Sequence, residues 1–230
     1  MPSDSPQEDQ PLGLTVHTMP TAAQIAADPV ARTRVGRWKM ALVLLICAAP
    51  VVASYLAYYV VRPEGRRNYG ELIAPQRPLP DLNGTALDGS PVNLRALKDQ
   101  WLLISVAGGA CDAACANHLY FQRQLREGLG KNKDRLDRVW LVDDAAPVAE
   151  ALQPALHDST VIRVPREALA QWLSAQPGKQ LEDHLYVVDP MGNWMMRFAS
   201  GVDLQTAPKI KKDLENLMRG SEGWDQPGRP

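Results

Sequence analysis

The sequence predicts an α/β domain, a mixed sheet flanked by helices, carried behind a single apolar helix. Three observations carry that expectation. Residues 40–61 contain no charged side chain. Beyond residue 79, short apolar runs alternate with stretches of helical period. Two cysteines, Cys111 and Cys115, fall where a buried strand gives way to a helix.

Residues 1–39 read as a cytoplasmic disordered tail, polar and broken by Pro2, Pro6, Pro11 and Pro20, with a short helix near 21–27. Residues 40–61 then form a transmembrane helix: at 1.5 Å per residue they reach roughly 33 Å, against a hydrocarbon core of about 30 Å. Pro50 is tolerable inside such a span. Trp38 at one end and Tyr55, Tyr58 and Tyr59 at the other fit the interfacial belts. Arg32, Arg34, Arg37 and Lys39 precede the span without an acid among them, whereas Glu64 accompanies Arg62, Arg66 and Arg67 after it. This bias orients the N-terminus to the cytoplasm, in the cytoplasmic (inner) membrane, with the C-terminal domain in the periplasm. A cleavable signal peptide fits less well, because both the leader and the apolar run are too long.

A linker rich in arginine and proline, 62–78, leads to a folded domain over 79–220, and 221–230 reads as a disordered tail. Leu87-Asp88-Gly89-Ser90 marks the turn of an N-terminal β-hairpin. The run Trp101 to Ala107 is apolar throughout, as a strand buried on both faces must be. Helical spacing follows over 111–129, then a buried strand at 139–142 closed by Asp143-Asp144. Helices are expected over 146–156 and 167–175, with a short strand at 160–164 between them. Residues 185–188 and 194–198 form a second hairpin around Asp189-Pro190-Met191-Gly192. The last helix has Pro208 in its first turn and Gly220 as its stop.

That order is the order of a thioredoxin-like domain with an added N-terminal hairpin. Folds of this kind place a reactive site where the first central strand meets its helix, and the cysteine pair is there. Thiols at i and i+4 share one helical face, and a helix N-terminus favours the thiolate. The pair suits soft-metal binding or thiol–disulfide exchange. A regular helix holds such α-carbons near the upper limit for a bridge, so a disulfide would need Cys111 on the non-helical lead-in. Asp183-His184, just before the strand at 185, supplies a candidate third ligand.

The CxxxC run Cys111 to Cys115, with Asp183-His184 ahead of Tyr186-Val187-Val188-Asp189-Pro190, resembles the SCO/SenC family of thioredoxin-fold copper proteins. Asp112 and Ala116 stand where that family usually has proline after each cysteine. The resemblance implies a membrane-anchored copper-binding assembly factor for cytochrome c oxidase. Its partner would be the copper-accepting subunit of a terminal oxidase or another exported assembly protein. Copper would be held by Cys111, Cys115 and His184, a donor set that Cu(I) accepts. Two alternatives stand beside it. In one, Cys111 attacks and Cys115 resolves in a thiol–disulfide oxidoreductase acting on a partner's cysteines; in the other, a purely structural disulfide sits in an interaction domain. Only in the first of these is the protein an enzyme.

Other residues read more plainly. His118, on the cysteines' helical face, is a packing histidine before it is a ligand, and Met195 and Met196 fill core. Cys47 lies in the apolar span. A net charge of -1 carries no nucleic-acid footprint, and neither a P-loop, a GxGxxG run nor a nucleophile elbow appears.

Overall fold

The computed structural model describes residues 29–61 and 68–228. The described residues fall into two units, 29–61 and 68–228. In the first, helix α1 (Pro29–Leu56) runs through Pro50 and ends in a π-helical turn, Ala57–Val61. Its stretch Thr33–Tyr59 is long and apolar enough to cross a bilayer. The tail before residue 29, with the expected helix near 21–27, lies outside the described residues, as do Arg62, Arg66 and Arg67.

Among the described residues the second unit holds one eight-stranded sheet, its strands in the order Glu71–Pro78, Asn193–Arg197, Leu185–Val188, Trp101–Ala107, Leu136–Val142, Ser159–Arg163, Asn83–Ala86 and Pro91–Asn93. At its centre stand β4 (Trp101–Ala107), β5 (Leu136–Val142), β7 (Leu185–Val188) and β8 (Asn193–Arg197). β4 pairs parallel to β5 and antiparallel to β7, which pairs antiparallel to β8. Helix α2 (Ala113–Gly128) connects β4 to β5, and α4 (Ala207–Ser221) follows β8. This β-α-β, β-β-α arrangement is the thioredoxin-like core that the sequence order anticipates. The hairpin β2 (Asn83–Ala86) and β3 (Pro91–Asn93) joins through β6 (Ser159–Arg163).

All seven residues of β4 are buried, and their alternation builds two cores. Leu102, Ile104 and Val106 face one cluster with Tyr186, Trp194 and Trp172, the last from α3 (Arg166–Trp172). Trp101 and Leu103 face the other, with Phe121 and Leu125 of α2 and Ile210, Leu214 and Met218 of α4. Each fully buried side chain of this size contributes roughly 1.5–3 kcal/mol, so both clusters anchor the strand that carries the cysteines. Met196 is buried in the second cluster and Met195 packs against it, as core-filling residues do.

Three segments depart from the sequence reading. Glu71–Pro78, counted within the linker, is the edge strand β1, paired with β8 across a register shift between Leu72 and Arg77. An edge accommodates prolines that a central strand would reject. Residues 146–156, expected as a helix, form only a 3-10 turn over Glu150–Leu156, since Pro147 and Pro154 each remove a backbone donor. Residues 221–228, expected as part of a disordered tail, are held: Asp225 accepts from Trp101 Nε1 at 2.8 Å and from Arg135 Nη2 at 2.7 Å.

Candidate functional site: a cysteine pair at the end of the central strand

β4 ends at Ala107, and Gly108 and Gly109 carry the chain into the cysteine loop. Their glycine character answers to close approach, with neither φ positive. A Cβ on Gly108 would meet the Asp144 carboxylate, and one on Gly109 the Ala146 carbonyl. Asp144 ties the two loops by accepting from the Gly109 N–H at 2.7 Å and the Ala146 N–H at 3.1 Å.

Cys111 lies before the helix, at a φ of 45°, a left-handed conformation uncommon outside glycine, asparagine and aspartate. Asp112 then caps α2, its Oδ1 accepting from the Cys115 N–H at 2.9 Å. Because Cys111 is off the helix, the two α-carbons come to 5.1 Å and the sulfurs form a disulfide. The bridge is asymmetric in access. Cys115 is 5% exposed and packs among Ala107, Leu119, Trp140 and Val142, whereas Cys111 is partly open. Both line a cleft of about 390 Å3 with Gly108, Asp112, Glu182 and Asp183.

His184 takes a different place. It is 0% exposed, and both ring nitrogens are committed: Nδ1 lies 2.9 Å from the Phe198 carbonyl oxygen, and Nε2 accepts from the Gln176 N–H at 3.2 Å. One tautomer, with the proton on Nδ1, satisfies both bonds. Burial lowers its pKa, against the Phe198 carbonyl, which favours the protonated form. Asp183 does not orient this ring through a hydrogen bond; its carboxylate accepts from the Gln180 N–H at 2.8 Å, closing a capping box. Among the described residues no three His, Cys, Asp or Glu side chains group as a metal site would require. The expected third ligand is therefore spent on backbone groups. The two thiols alone suit copper; the histidine, as placed, does not.

Two cleft residues escaped the sequence reading, Gln180 and Glu182. Their signal was adjacency, since Glu182 immediately precedes the Asp183-His184 pair. Arg166 at the start of α3 is ion-paired to both Glu182 and Asp143. Burial raises the Asp143 carboxyl, reinforced by the charge of Glu182.

Residues 101–221 match the family described as "Transmembrane-like, thioredoxin-like, C-terminal domain". The chain belongs to that family. A comparison with curated proteins gives no match. Among solved structures, the chain is similar to a DsbF homologue from Corynebacterium diphtheriae, with 19% identity and a TM-score of 0.50 over 67% of this chain and 96% of that one. It is also similar to apo Sco1 from Thermus thermophilus, at 18% identity and a TM-score of 0.47 over 66% and 96% of the two chains. A third is Arabidopsis thaliana ScoI with copper bound, at 12% identity and a TM-score of 0.45 over 64% and 99%. SCO proteins and thioredoxin-like oxidoreductases thus both stand among its structural neighbours, and likeness at these identities is one of fold.

Proposed function

We propose that this family member is a membrane-anchored thiol–disulfide exchange protein acting on the cysteines of a partner protein. The observation that carries the reading is the asymmetry of the pair. Cys111, partly open at the head of α2, is the attacking group, and Cys115, buried behind it, is the resolving one. In the reduced protein the Cys111 thiolate attacks a partner disulfide, forming a mixed disulfide and expelling one partner sulfur as thiolate. Cys115 then attacks Cys111, re-forming the bridge and releasing the second partner sulfur. Two protein thiols are oxidised and one partner disulfide becomes two thiols. The single apolar helix would hold this chemistry at the outer face of the cytoplasmic membrane, with the domain in the periplasm.

A copper-holding role in oxidase assembly uses the same two sulfurs and stands second, because Nε2 of His184 would first have to release the Gln176 N–H. The experiment incubates the reduced full-length chain, in detergent, with glutathione disulfide. Wild type should return to the bridged form, Cys111→Ser should not react, and Cys115→Ser should stop at the mixed disulfide. Inert cysteines in all three overturn the proposal. One tightly held Cu(I) in wild type, lost in His184→Ala, would put the copper reading first.

A further inference from the structure

The exchange reading fixes the reaction and leaves open which disulfides reach it. Selection has to happen in the cleft that holds the Cys111–Cys115 bridge, because a partner sulfur must come into contact with Cys111 there. Apart from the cysteines and Gln180, the lining is of two kinds. Gly108 and alanines leave room for a partner's main chain but offer little apolar surface to grip a side chain. Asp112, Glu182 and Asp183 supply carboxylates. Among the described residues no lysine, arginine or histidine lines the cleft.

We infer that the cleft selects, by charge, a partner disulfide flanked by lysine or arginine. The inference rests on the exchange reading above, and the site is marked by the open sulfur of Cys111 rather than by the acids around it. Those acids come from two parts of the chain, Asp112 at the head of α2 and Glu182 with Asp183 at the lead-in to β7, so a segment seated in the cleft meets both. Asp112 and Asp183 accept from the backbone N–H groups of Cys115 and Gln180, and among the described residues neither is paired with a lysine or arginine. These bonds hold the two carboxylates in place without neutralising them. Arg166 pairs with Glu182 but is shared with Asp143, so it offsets one charge of the cleft at most.

Fixed charges in a concave site focus their field on an incoming ion and act over roughly a Debye length, ~10 Å at ~0.1 M salt. A cation beside the partner's cysteine therefore speeds encounter with Cys111, and a carboxylate there slows it. The alanine walls have no comparable term to set against this, so charge decides.

The test presents the reduced full-length chain, in an uncharged detergent, with three synthetic peptides of one length, each closed by its own disulfide. Their cysteines are flanked by lysine, by glutamine or by glutamate. Each rate is divided by that of mercaptoethanol, an uncharged thiol, with the same peptide, which removes the effect of the flanks on intrinsic reactivity. At about 20 mM salt the lysine peptide should react about 10-fold faster than the glutamine peptide, and the glutamate peptide more slowly still. At about 0.5 M salt, and in the double variant Glu182→Gln, Asp183→Asn, the spread should shrink to within about 2-fold. Equal normalised rates in wild type, or a spread that persists in a folded double variant, overturn the inference. Should the variant not fold, the salt series decides: a spread lost at high salt supports the selection, and one that persists overturns it. If the protein reduces none of the three peptides, the exchange reading fails and takes the selection with it; if it reduces all three alike, only the selection fails.

Discussion

The two ends of β4 are built on opposite terms. At its start, Trp101 Nε1 reaches the Asp225 carboxylate, which also pairs with Arg135 and lies near the Ser221 hydroxyl. Arg135 in turn donates to the Met218 carbonyl at 3.0 Å, joining the segment before β5 to α4. The Asp225 side chain is 0% exposed and that of Arg135 7%. At its finish, the same strand runs into two glycines, a left-handed Cys111 and a cleft open to solvent. One end closes the sheet with a paired, buried charge; the other leaves room for a second molecule. A reactive sulfur needs access and a little local strain, and here the polar bonds of Asp112 and Asp144 hold the loop without covering Cys111.

The comparison can be broken most sharply at the closed end. Asp225→Ala strands a buried Arg135 and should cost about 3–5 kcal/mol in thermal or urea unfolding of the full chain. Exchange by Cys111 should be unchanged below the new melting temperature. Lost activity in a still-folded variant would show that the ends are coupled. His184→Ala should come next, at roughly 2–3 kcal/mol, because it leaves the Gln176 N–H and the Phe198 carbonyl without their partner. A variant that loses copper but no stability would give that ring to a metal.

At the open end the effects should be smaller. Reducing the Cys111–Cys115 bridge frees only a short loop, worth roughly 2 kcal/mol at most by loop closure. Calorimetry of oxidised and reduced protein measures it directly, and a loss as large as that of Asp225→Ala would make the disulfide structural. Asp112→Ala removes the α2 cap and should cost about 1 kcal/mol. It should also speed attack on added disulfide, since a carboxylate no longer opposes the thiolates. The mildest test is pH. His118 and His184 both have pKa values lowered by burial from the ordinary 6.5. In the unfolded chain they take up protons near that value; in the folded chain they do so only at lower pH. Their contribution is therefore whole above pH 6.5 and is lost as pH falls through the folded values. Replacing both with glutamine should flatten that decline before the carboxylates titrate; an unchanged slope would show that neither ring is held neutral.

Much of this was legible in advance where one residue decides its own surroundings. The run 101–107 reads as a central strand because seven apolar side chains in succession suit burial on both faces. The hairpin turn at Asp88-Gly89 follows from local backbone preference, whereas α4 runs through Gly220, its expected stop, to Ser221. Cys111 was less legible: its spacing sets it on one helical face with Cys115, whereas the structure leaves it on the lead-in before Ala113, where the disulfide closes. Legibility failed where the partner lies far along the chain. Pro75 and Pro78 look like linker until β8 supplies the edge they can occupy. Asp225 looks like tail until Arg135, 90 residues away, accounts for it. His184 looks like a ligand because its neighbours in sequence match a metal-binding pattern, and it is not free because Gln176 and Phe198, invisible to that pattern, hold it.

The chain by itself determined the apolar span, the alternation of strands and helices, and the placing of two thiols at a strand–helix junction. Each is set by periodicity or spacing within a few residues. Only the folded domain decided which histidine keeps an empty nitrogen, and where residues 221–228 go. Those outcomes depend on burial and on hydrogen-bond partners brought together across the sheet, and no local stretch of sequence contains them.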